Sequence, residues 1–425
     1  MIVGAIQMLF GGVTNEYWFG SFSRTAGGST TFYQVSPLGA NIILAGRTNS
    51  LSSVFSVSSA GVINWSTSSF PTGSTDGSIF QGLFVSSSND IYVAGRAAAP
   101  ASNNDISLAG LSSSGSVNFF RKGVRSGSAE EFLSGLAGDG TNLYATGVHG
   151  FSSGGSTTER DVYVAKYNTS GTLQWERQIG QGSTADIGNG IGIDSSANAY
   201  AAGSSLDGGS TNKCFIVKYN TSGTLQWQKL LADSTSSVFN GVAVSSTGDS
   251  YCVGYRIFTH PLIAKYNSSG TLSFQKELNF SSNYGAFNGS LVASDGFIYA
   301  VGYAQGTRTM GLIAKYSTSG TLQWQRTIGH SSLNINLYSI TVSISGAMYI
   351  AGDIGSNGFA ASLPSDGTLT GTYGSYTYAA SSYTDQSTSM TDSTPSFSSS
   401  TPSITYSSPS TTTASETLTV TKQTV

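Results

Sequence analysis

Apolar and polar residues alternate along this chain in short runs, and the runs come in sets. Leu173-Gln-Trp-Glu176 puts Leu173 and Trp175 on one face of an extended segment and Gln174 and Glu176 on the other. Leu225 with Trp227, and Leu322 with Trp324, repeat the arrangement. Between the runs stand clusters such as Ser245-Ser-Thr-Gly-Asp249 and Asn267-Ser-Ser-Gly270, whose residue types favour tight reversals. One set reads as four strands. Phe239-Asn-Gly-Val-Ala-Val244 comes first, then a strand around Tyr251, then Leu262-Ile-Ala-Lys-Tyr266, then Thr271-Leu-Ser-Phe274.

The sets are copies of one another. Val164-Ala-Lys-Tyr-Asn-Thr-Ser-Gly-Thr-Leu-Gln-Trp175 returns as Val217-Lys-Tyr-Asn-Thr-Ser-Gly-Thr-Leu-Gln-Trp227. It returns again as Ile263-Ala-Lys-Tyr-Asn-Ser-Ser-Gly-Thr-Leu-Ser-Phe274 and as Ile313-Ala-Lys-Tyr-Ser-Thr-Ser-Gly-Thr-Leu-Gln-Trp324. With weaker copies included, the turn glycines are Gly61, Gly115, Gly171, Gly223, Gly270, Gly320 and Gly367, spaced 54, 56, 52, 47, 50 and 47 residues apart. A second marker, a strand closing on glycine, keeps the same beat at Gly46, Gly95, Gly147, Gly203, Gly254, Gly302 and Gly352. Seven of each marker predict seven units.

A lone four-stranded sheet has two open edges and cannot bury its faces. Seven such sheets packed radially bury one another's faces, so the predicted fold class is all-β, a seven-bladed β-propeller of four-stranded antiparallel blades. Closure is also legible. Glu16-Tyr-Trp-Phe-Gly-Ser-Phe-Ser-Arg-Thr25 resembles the outer strand Leu322-Gln-Trp-Gln-Arg-Thr327, while the seventh unit has Gly371 where its outer aromatic should stand. Residues 16–25 are therefore expected to complete the last blade as an N-terminal clasp.

On these motifs the repeat resembles the SBBP-type β-propeller repeats, units of roughly fifty residues. Their signatures are a Gly-Asn/Asp-x-Tyr-x-x-Gly strand and an x-Lys-Tyr-Asn-x-x-Gly-x-x-x-Trp strand. The resemblance covers about residues 16–374 and is strongest in the four copies between residues 161 and 327. Ser/Thr/Gly-rich proteins of this kind look like marine bacteriophage virion components, such as tail or fibre proteins. The resemblance supplies no catalytic motif.

Composition sharpens the division of the chain. Ser and Thr make up 121 of 425 residues, and charged residues only 10%, against about 25% in ordinary soluble domains. The net charge of −3 gives no footprint for nucleic acid, and no apolar run approaches the ~20 residues that span a bilayer. The opening residues 1–10 lack the positive stretch of a secretory signal. Residues 1–15 read as an N-terminal arm and 16–374 as the propeller. Residues 375–425 read as a Ser/Thr-rich C-terminal extension with Pro395, Pro402 and Pro409, which cannot form a core of its own. A neighbouring subunit is expected to hold this extension, residues 416–422 adding a strand to another chain's sheet edge; the alternative is an extended tail lying on the chain's own propeller.

Candidate chemistry is sparse. His149, His260 and His330 have no partner at metal-ligand spacing, and Cys214 and Cys252 read as buried thiols. Asp139, Asp194, Asp249 and Asp295 fall in the turn between the first two strands of their units, where Asp caps backbone amides. Lys166, Lys218, Lys265 and Lys315 belong to the repeat, stems packed and ammonium groups hydrated or paired. Trp65, Trp175, Trp227 and Trp324 are expected in the core between blades. No catalytic, cofactor or metal residue is assigned. The expectation is a non-enzymatic virion structural and interaction protein, in a tail or fibre; the alternative is a carbohydrate-binding or carbohydrate-active propeller. Expected partners are other virion proteins through residues 1–15 and 375–425, further copies of the chain, and a host surface glycan, with neither nucleic acid nor membrane insertion. The expected location is the virion, or alternatively a bacterial cell surface.

Overall fold

The computed structural model describes residues 17–24, 27–71, 77–98, 104–124, 129–152, 160–180, 185–206, 209–257, 259–280, 284–402, 404–408, 411–414 and 416–425. The arm 1–15, most of the long connections after Gly95 and Gly147, and the Gly180-Gln-Gly182 turn beyond its first residue lie outside these. Among the described residues every regular element is a strand, and the strands form seven antiparallel sheets. Six of the sheets hold four strands in chain order, as Ile187–Ile193, Ala199–Ser205, Lys213–Tyr219 and Leu225–Ala232 do in blade 4, and the seventh holds three and takes its fourth from the start of the chain. First strands touch first strands around the ring, and Thr30–Leu38 of blade 1 meets Ile335–Val342 of blade 7, so the ring is closed. Seven apolar clusters fill the spaces between blades, one for each pair of neighbours.

The clasp is present. Trp18–Arg24 is the fourth strand of blade 7, antiparallel to Asn357–Pro364 with Trp18 opposite Ser362 and Phe22 opposite Gly358. Trp18, Phe19 and Phe22 are fully buried there.

Both sequence markers have physical causes. Each turn glycine has a positive φ, +73° at Gly223, and faces the outer aromatic ring of the preceding blade. A Cβ at Gly223 would stand 2.8 Å from the Trp175 ring, and Gly61, Gly115, Gly171, Gly270, Gly320 and Gly367 face Trp18, Trp65, Phe119, Trp227, Phe274 and Trp324 alike. The indoles also donate Nε1–H to the neighbouring turn, Trp175 to the Thr221 carbonyl at 2.9 Å and Trp227 to the Ser268 carbonyl at 3.1 Å. These tryptophans are therefore half-buried latches at the perimeter of each blade interface. That places them further out than the core position read from their alternation. The second marker answers a β-bulge. Every first strand slips its register opposite the marker glycine, as between Gly188 and Gly190 opposite Gly203, and a Cβ on Gly203 would collide with the Ile187 carbonyl.

The C-terminal extension corrects the reading of it as a segment held by another subunit. It runs backwards around the outside of the ring and adds a fifth strand to every blade. Tyr376–Ala380 pairs with blade 6, Thr384–Ser387 with blade 5, Thr391–Ser393 with blade 4 and Ser398–Ser400 with blade 3. Thr405–Ser407 follows on blade 2, Thr411–Ala414 on blade 1, and Leu418–Thr424 on the clasp itself. Blade 6 carries a sixth strand, Gly371–Tyr373, hairpinned onto Tyr376–Ala380.

This belt has a period of seven. Tyr376, Tyr383, Met390, Phe397, Ile404, Thr411 and Leu418 stand seven apart, and Tyr376, Tyr383, Met390, Phe397, Ile404 and Leu418 join apolar clusters between neighbouring blades. Seven extended residues reach at most about 25 Å, which here makes one step from blade to blade. At four of the steps a polar side chain of the fourth strand grips the belt backbone. Gln325 donates to the Tyr383 carbonyl at 2.7 Å, Gln275 to Met390 at 2.8 Å and Gln228 to Phe397 at 3.1 Å. Ser66 exchanges two 2.8 Å bonds with the Glu416 backbone. Residues 416–422 therefore do form the strand foreseen for them, but on the edge of their own chain. That edge lies one heptad away, so pairing needs no second molecule.

Candidate functional site

The seven bulges aim one residue per blade into the central channel: Tyr33, Gln81, Ser134, Asn189, Asn240, Asn288 and Tyr338. A bulge re-aims a side chain that regular pleating would bury or expose. In four consecutive blades this residue bonds the next blade's carbonyl just before its own bulge. Ser134 donates to Gly188, Asn189 to Phe239 at 2.9 Å, Asn240 to Phe287 at 2.9 Å and Asn288 to Leu337 at 2.9 Å. Each of these amides spends one N–H on the wall, and Asn240 turns toward the Asn288 carbonyl oxygen at 3.5 Å, so the Asn189 and Asn240 carbonyls are the acceptors left for the channel.

The regularity breaks at blades 7 and 1. Gly82, Gly135, Gly190, Gly241 and Gly289 follow the bulged residue in blades 2 to 6, letting neighbouring backbones touch; a Cβ at Gly190 would stand 2.9 Å from the Gly241 Cα. Blade 1 has Tyr33-Gln34 and blade 7 has Tyr338-Ser339 in these places. The two phenol rings pack with centroids 5.3 Å apart, and Ser339 Oγ donates to Gln34 Oε1 at 3.0 Å. Asp353 accepts the Tyr338 hydroxyl at 2.8 Å and the Asn336 amide at 2.9 Å. Burial pushes the Asp353 carboxyl above the ordinary carboxylate range, against those bonds and the nearby Arg47 charge. Burial likewise raises the Tyr33 phenol, while the Arg47 and Arg96 guanidinium groups draw it down. Arg47 Nε has no hydrogen-bond partner among the described residues. Together the bulged side chains and Gln34 enclose a cavity of about 210 Å³ at the channel mouth. Below it lies a second space of about 320 Å³, reaching down to Leu83, Leu136, Ile191 and Val242.

The two faces of the ring differ. The mouth lies on the face where second strands run into third strands. Those connections span only 49–50 in blade 1 and 355–356 in blade 7, against 153–160 in blade 3 and 206–212 in blade 4. The opposite face is built from the repeated turns and holds the aspartates and lysines singled out from sequence. Asp139 accepts the Thr141 and Asn142 amides at 2.8 and 2.7 Å, and Asp194 those of Ser196 and Asn198 at 2.9 and 3.0 Å. Lys315 lies 4.8 Å from the Tyr299 ring centre and 2.9 Å from Asp295, and Lys265 is 2.9 Å from Asp249. Lys218 bonds the Ser268 carbonyl at 3.0 Å. These are structural clamps, as the turn positions implied.

The histidines stand apart from one another. His149 is buried, His260 lies 3.4 Å from Glu277, and His330 Nδ1 accepts the Ser332 and Leu333 amides at 3.2 and 3.1 Å. Cys214 and Cys252 are free and buried in the interface of blades 4 and 5. Among the described residues no three His, Cys, Asp or Glu side chains gather as a metal site. Sequence reading missed Tyr33 and Tyr338 in the lining of the mouth, and Arg47, Arg96 and Asp353, which lie outside that lining within electrostatic reach of the two phenols. Aligning the repeats on their second marker would have exposed them. Arg47, Arg96 and Asp353 each follow a marker glycine, where blades 3 to 6 have Val148, Ser204, Tyr255 and Tyr303.

The fold and its markers define a seven-bladed β-propeller repeat protein. The SBBP β-propeller repeat family matches residues 174–209, which run from the outer strand of blade 3 to the second strand of blade 4. No curated protein sequence matches the chain. The WD40 domain of Neurospora crassa Pan2 is similar in structure at 9% identity and a TM-score of 0.47, over 79% of this chain and 89% of that one. A Bacteroides caccae protein of unknown function is similar at 11% identity and a TM-score of 0.40, over 73% and 93%. A putative 6-phosphogluconolactonase of Bacteroides fragilis is similar at 12% identity and a TM-score of 0.40, over 80% and 89%.

Proposed function

We propose that this protein is a non-enzymatic structural and recognition module, suited to the tail or a tail fibre of a virion, that binds its target at the channel mouth. The observation that carries the reading is the single break in a sevenfold ring. Five blades close the channel wall with a polar residue followed by glycine, and two replace that pair with tyrosines whose rings pack at a tilt of 44°, with Asp353, Arg47 and Arg96 near them. A scaffold has no need of such a departure, whereas a binding surface needs particular groups in one place. The rest of the exterior suits an assembly part. The outer edge of every blade is paired with the chain's own belt, and the belt's outward residues are mostly Ser and Thr. On this reading other virion proteins meet the outward surface of the belt.

Adsorption of the full chain to a glycan array and to intact bacterial cells tests the reading, with Tyr33→Ala/Tyr338→Ala set against Asn168→Ala/Asn220→Ala on the turn face. Binding lost only in the tyrosine pair is expected. Binding indifferent to the mouth substitutions, or turnover of glycoside or lactone substrates that those substitutions abolish, would overturn it.

A further inference from the structure

Resting on the mouth as the binding surface, the question is what chemistry it selects. Three charged side chains belong to this sector, and they do not cancel. The ion pairs of the described residues involve neither Arg47 nor Arg96. Asp353 gives one oxygen to Tyr338 and the other to Asn336, so it orients the phenol rather than neutralising a guanidinium. Arg96 is steadied by one bond from Nε to the Gly77 carbonyl at 3.2 Å, and among the described residues its two terminal nitrogens make no hydrogen bond. Arg47 Nε is sheltered from solvent without a partner, a costly arrangement that a bound acceptor relieves. In a chain of net charge −3 this is a local positive field.

The remaining groups narrow the ligand. The Tyr33 and Tyr338 rings give an aromatic platform, and the amides of Gln34 and Gln81 stand beside it at the mouth. Further round, Asn189 and Asn240 offer carbonyl acceptors to hydroxyl donors. A platform, a crown of amides and two unspent guanidiniums match a sugar ring that carries an anionic group. The cavity of about 210 Å³ accommodates a single sugar unit, not a strand or a helix. The connections 49–50 and 355–356 beside the two tyrosines are only two residues each, so a longer chain can continue outward from the bound unit.

We propose that the mouth sector of blades 7, 1 and 2 binds an acidic saccharide, its ring on Tyr33 and Tyr338, its carboxylate held by Arg47 and Arg96, and its hydroxyls by Gln34, Gln81 and the asparagine carbonyls. Arginine suits this role because its planar fork binds a carboxylate through two parallel bonds.

The test is calorimetric titration of the full chain with trigalacturonate and with the neutral trisaccharide of galactose, at low and physiological salt. Saturable binding of trigalacturonate is expected, at least tenfold tighter than the neutral sugar and weakened by salt. Arg47→Gln/Arg96→Gln should lose tenfold or more for trigalacturonate while Arg121→Gln/Arg177→Gln, on the ring perimeter, loses nothing. Thermal melts of both double variants check that the ring is intact. Equal affinity for the two sugars, or full affinity in Arg47→Gln/Arg96→Gln, overturns the acidic preference but leaves mouth recognition standing. Failure of trigalacturonate, sialyllactose and a sulfated trisaccharide alike overturns the saccharide assignment. Recognition by the mouth is then judged separately, by whether cell adsorption still depends on Tyr33 and Tyr338.

Discussion

Gly61 faces Trp18 so closely that a Cβ would stand 3.1 Å from two carbons of the indole, and the same indole donates Nε1–H to the Ser59 carbonyl at 2.8 Å. One contact thus joins the first described strand of the chain to the blade that follows it in the circle. Trp65, Trp175 and Trp227 make the same latch, while Phe119, Phe274 and Trp324 keep the ring-on-glycine contact alone, so the Trp18 latch shuts the ring with the fuller of the two forms.

Each latch asks glycine for two things, and the two separate experimentally. Gly140 also has a positive φ, +90°, but nothing lies within 4 Å of its missing Cβ, whereas Gly223 combines φ +73° with the Trp175 ring. Gly140→Ala should cost about 1–2 kcal/mol, the left-handed backbone term alone. Gly223→Ala should add about 1–3 kcal/mol for overpacking. Urea unfolding of the two variants measures the gap; equal losses would mean that the indole yields freely.

Loss of the clasp should be felt around the whole ring. Deleting residues 1–26 strips Trp18, Phe19 and Phe22, all with no exposed surface, from the two interfaces that flank blade 7. It also leaves Leu418–Thr424 without a strand to pair with and Glu416 without Arg24, 3.1 Å away. The deleted chain should lose its single cooperative calorimetric transition. An unchanged transition would show that six blades and a half hold without it.

The belt should be anchored at one residue in seven. Phe397 is buried and packs on Phe215 with ring centres 5.5 Å apart, while Thr401, four places on, is exposed. Phe397→Ala is expected to cost about 3 kcal/mol, at the low end for a buried aromatic, and Thr401→Ala under about 0.5 kcal/mol. Chemical denaturation distinguishes them, and limited proteolysis should cut the first variant within the belt sooner than the native chain.

The propeller was legible because its signals are dense. Seven turn glycines, seven marker glycines and the likeness of the Trp18 and Trp324 segments leave little freedom in how the chain can fold. The belt was not, although its order is as strict. Met390, Phe397 and Ile404 are single apolar residues among Ser, Thr and Pro, too sparse to mark a strand that alternates every second residue. Their spacing acquires meaning only when seven edges are already arranged in a circle. The mouth was hidden for a different reason. Asn189, Asn240 and Asn288 look like ordinary polar residues of an alternating strand, and only a bulge, which sequence alternation does not show, turns them into the channel.

Acid should act on the belt through Glu176. Burial raises this carboxyl above its usual range, partly offset by bonds from Tyr163, the Ile404 amide and Tyr406. A carboxyl raised in the folded state contributes stability fully below its unfolded value, and that contribution is lost as pH rises through the folded value. Gln228, Gln275 and Gln325 hold the matching place in blades 4, 5 and 6. Glu176→Gln should therefore be at least as stable as the native chain at pH 7, with the advantage shrinking toward pH 3. Denaturation midpoints across that interval check it; a variant less stable at pH 7 would assign the carboxylate a favourable charged role instead.

The belt travels against the order of the blades, and its last strand lies on the first. During translation the strand Trp18–Arg24 leaves the ribosome before any blade exists, yet its second edge stays open until residues 418–424 have followed. A nascent chain halted anywhere before that point carries at least one unsealed blade. Sealing of this toroid thus waits on residues 418–424, where backbone pairing, Leu418 and Val420 against the core of blades 7 and 1, and the nearby Arg24–Glu416 pair act together.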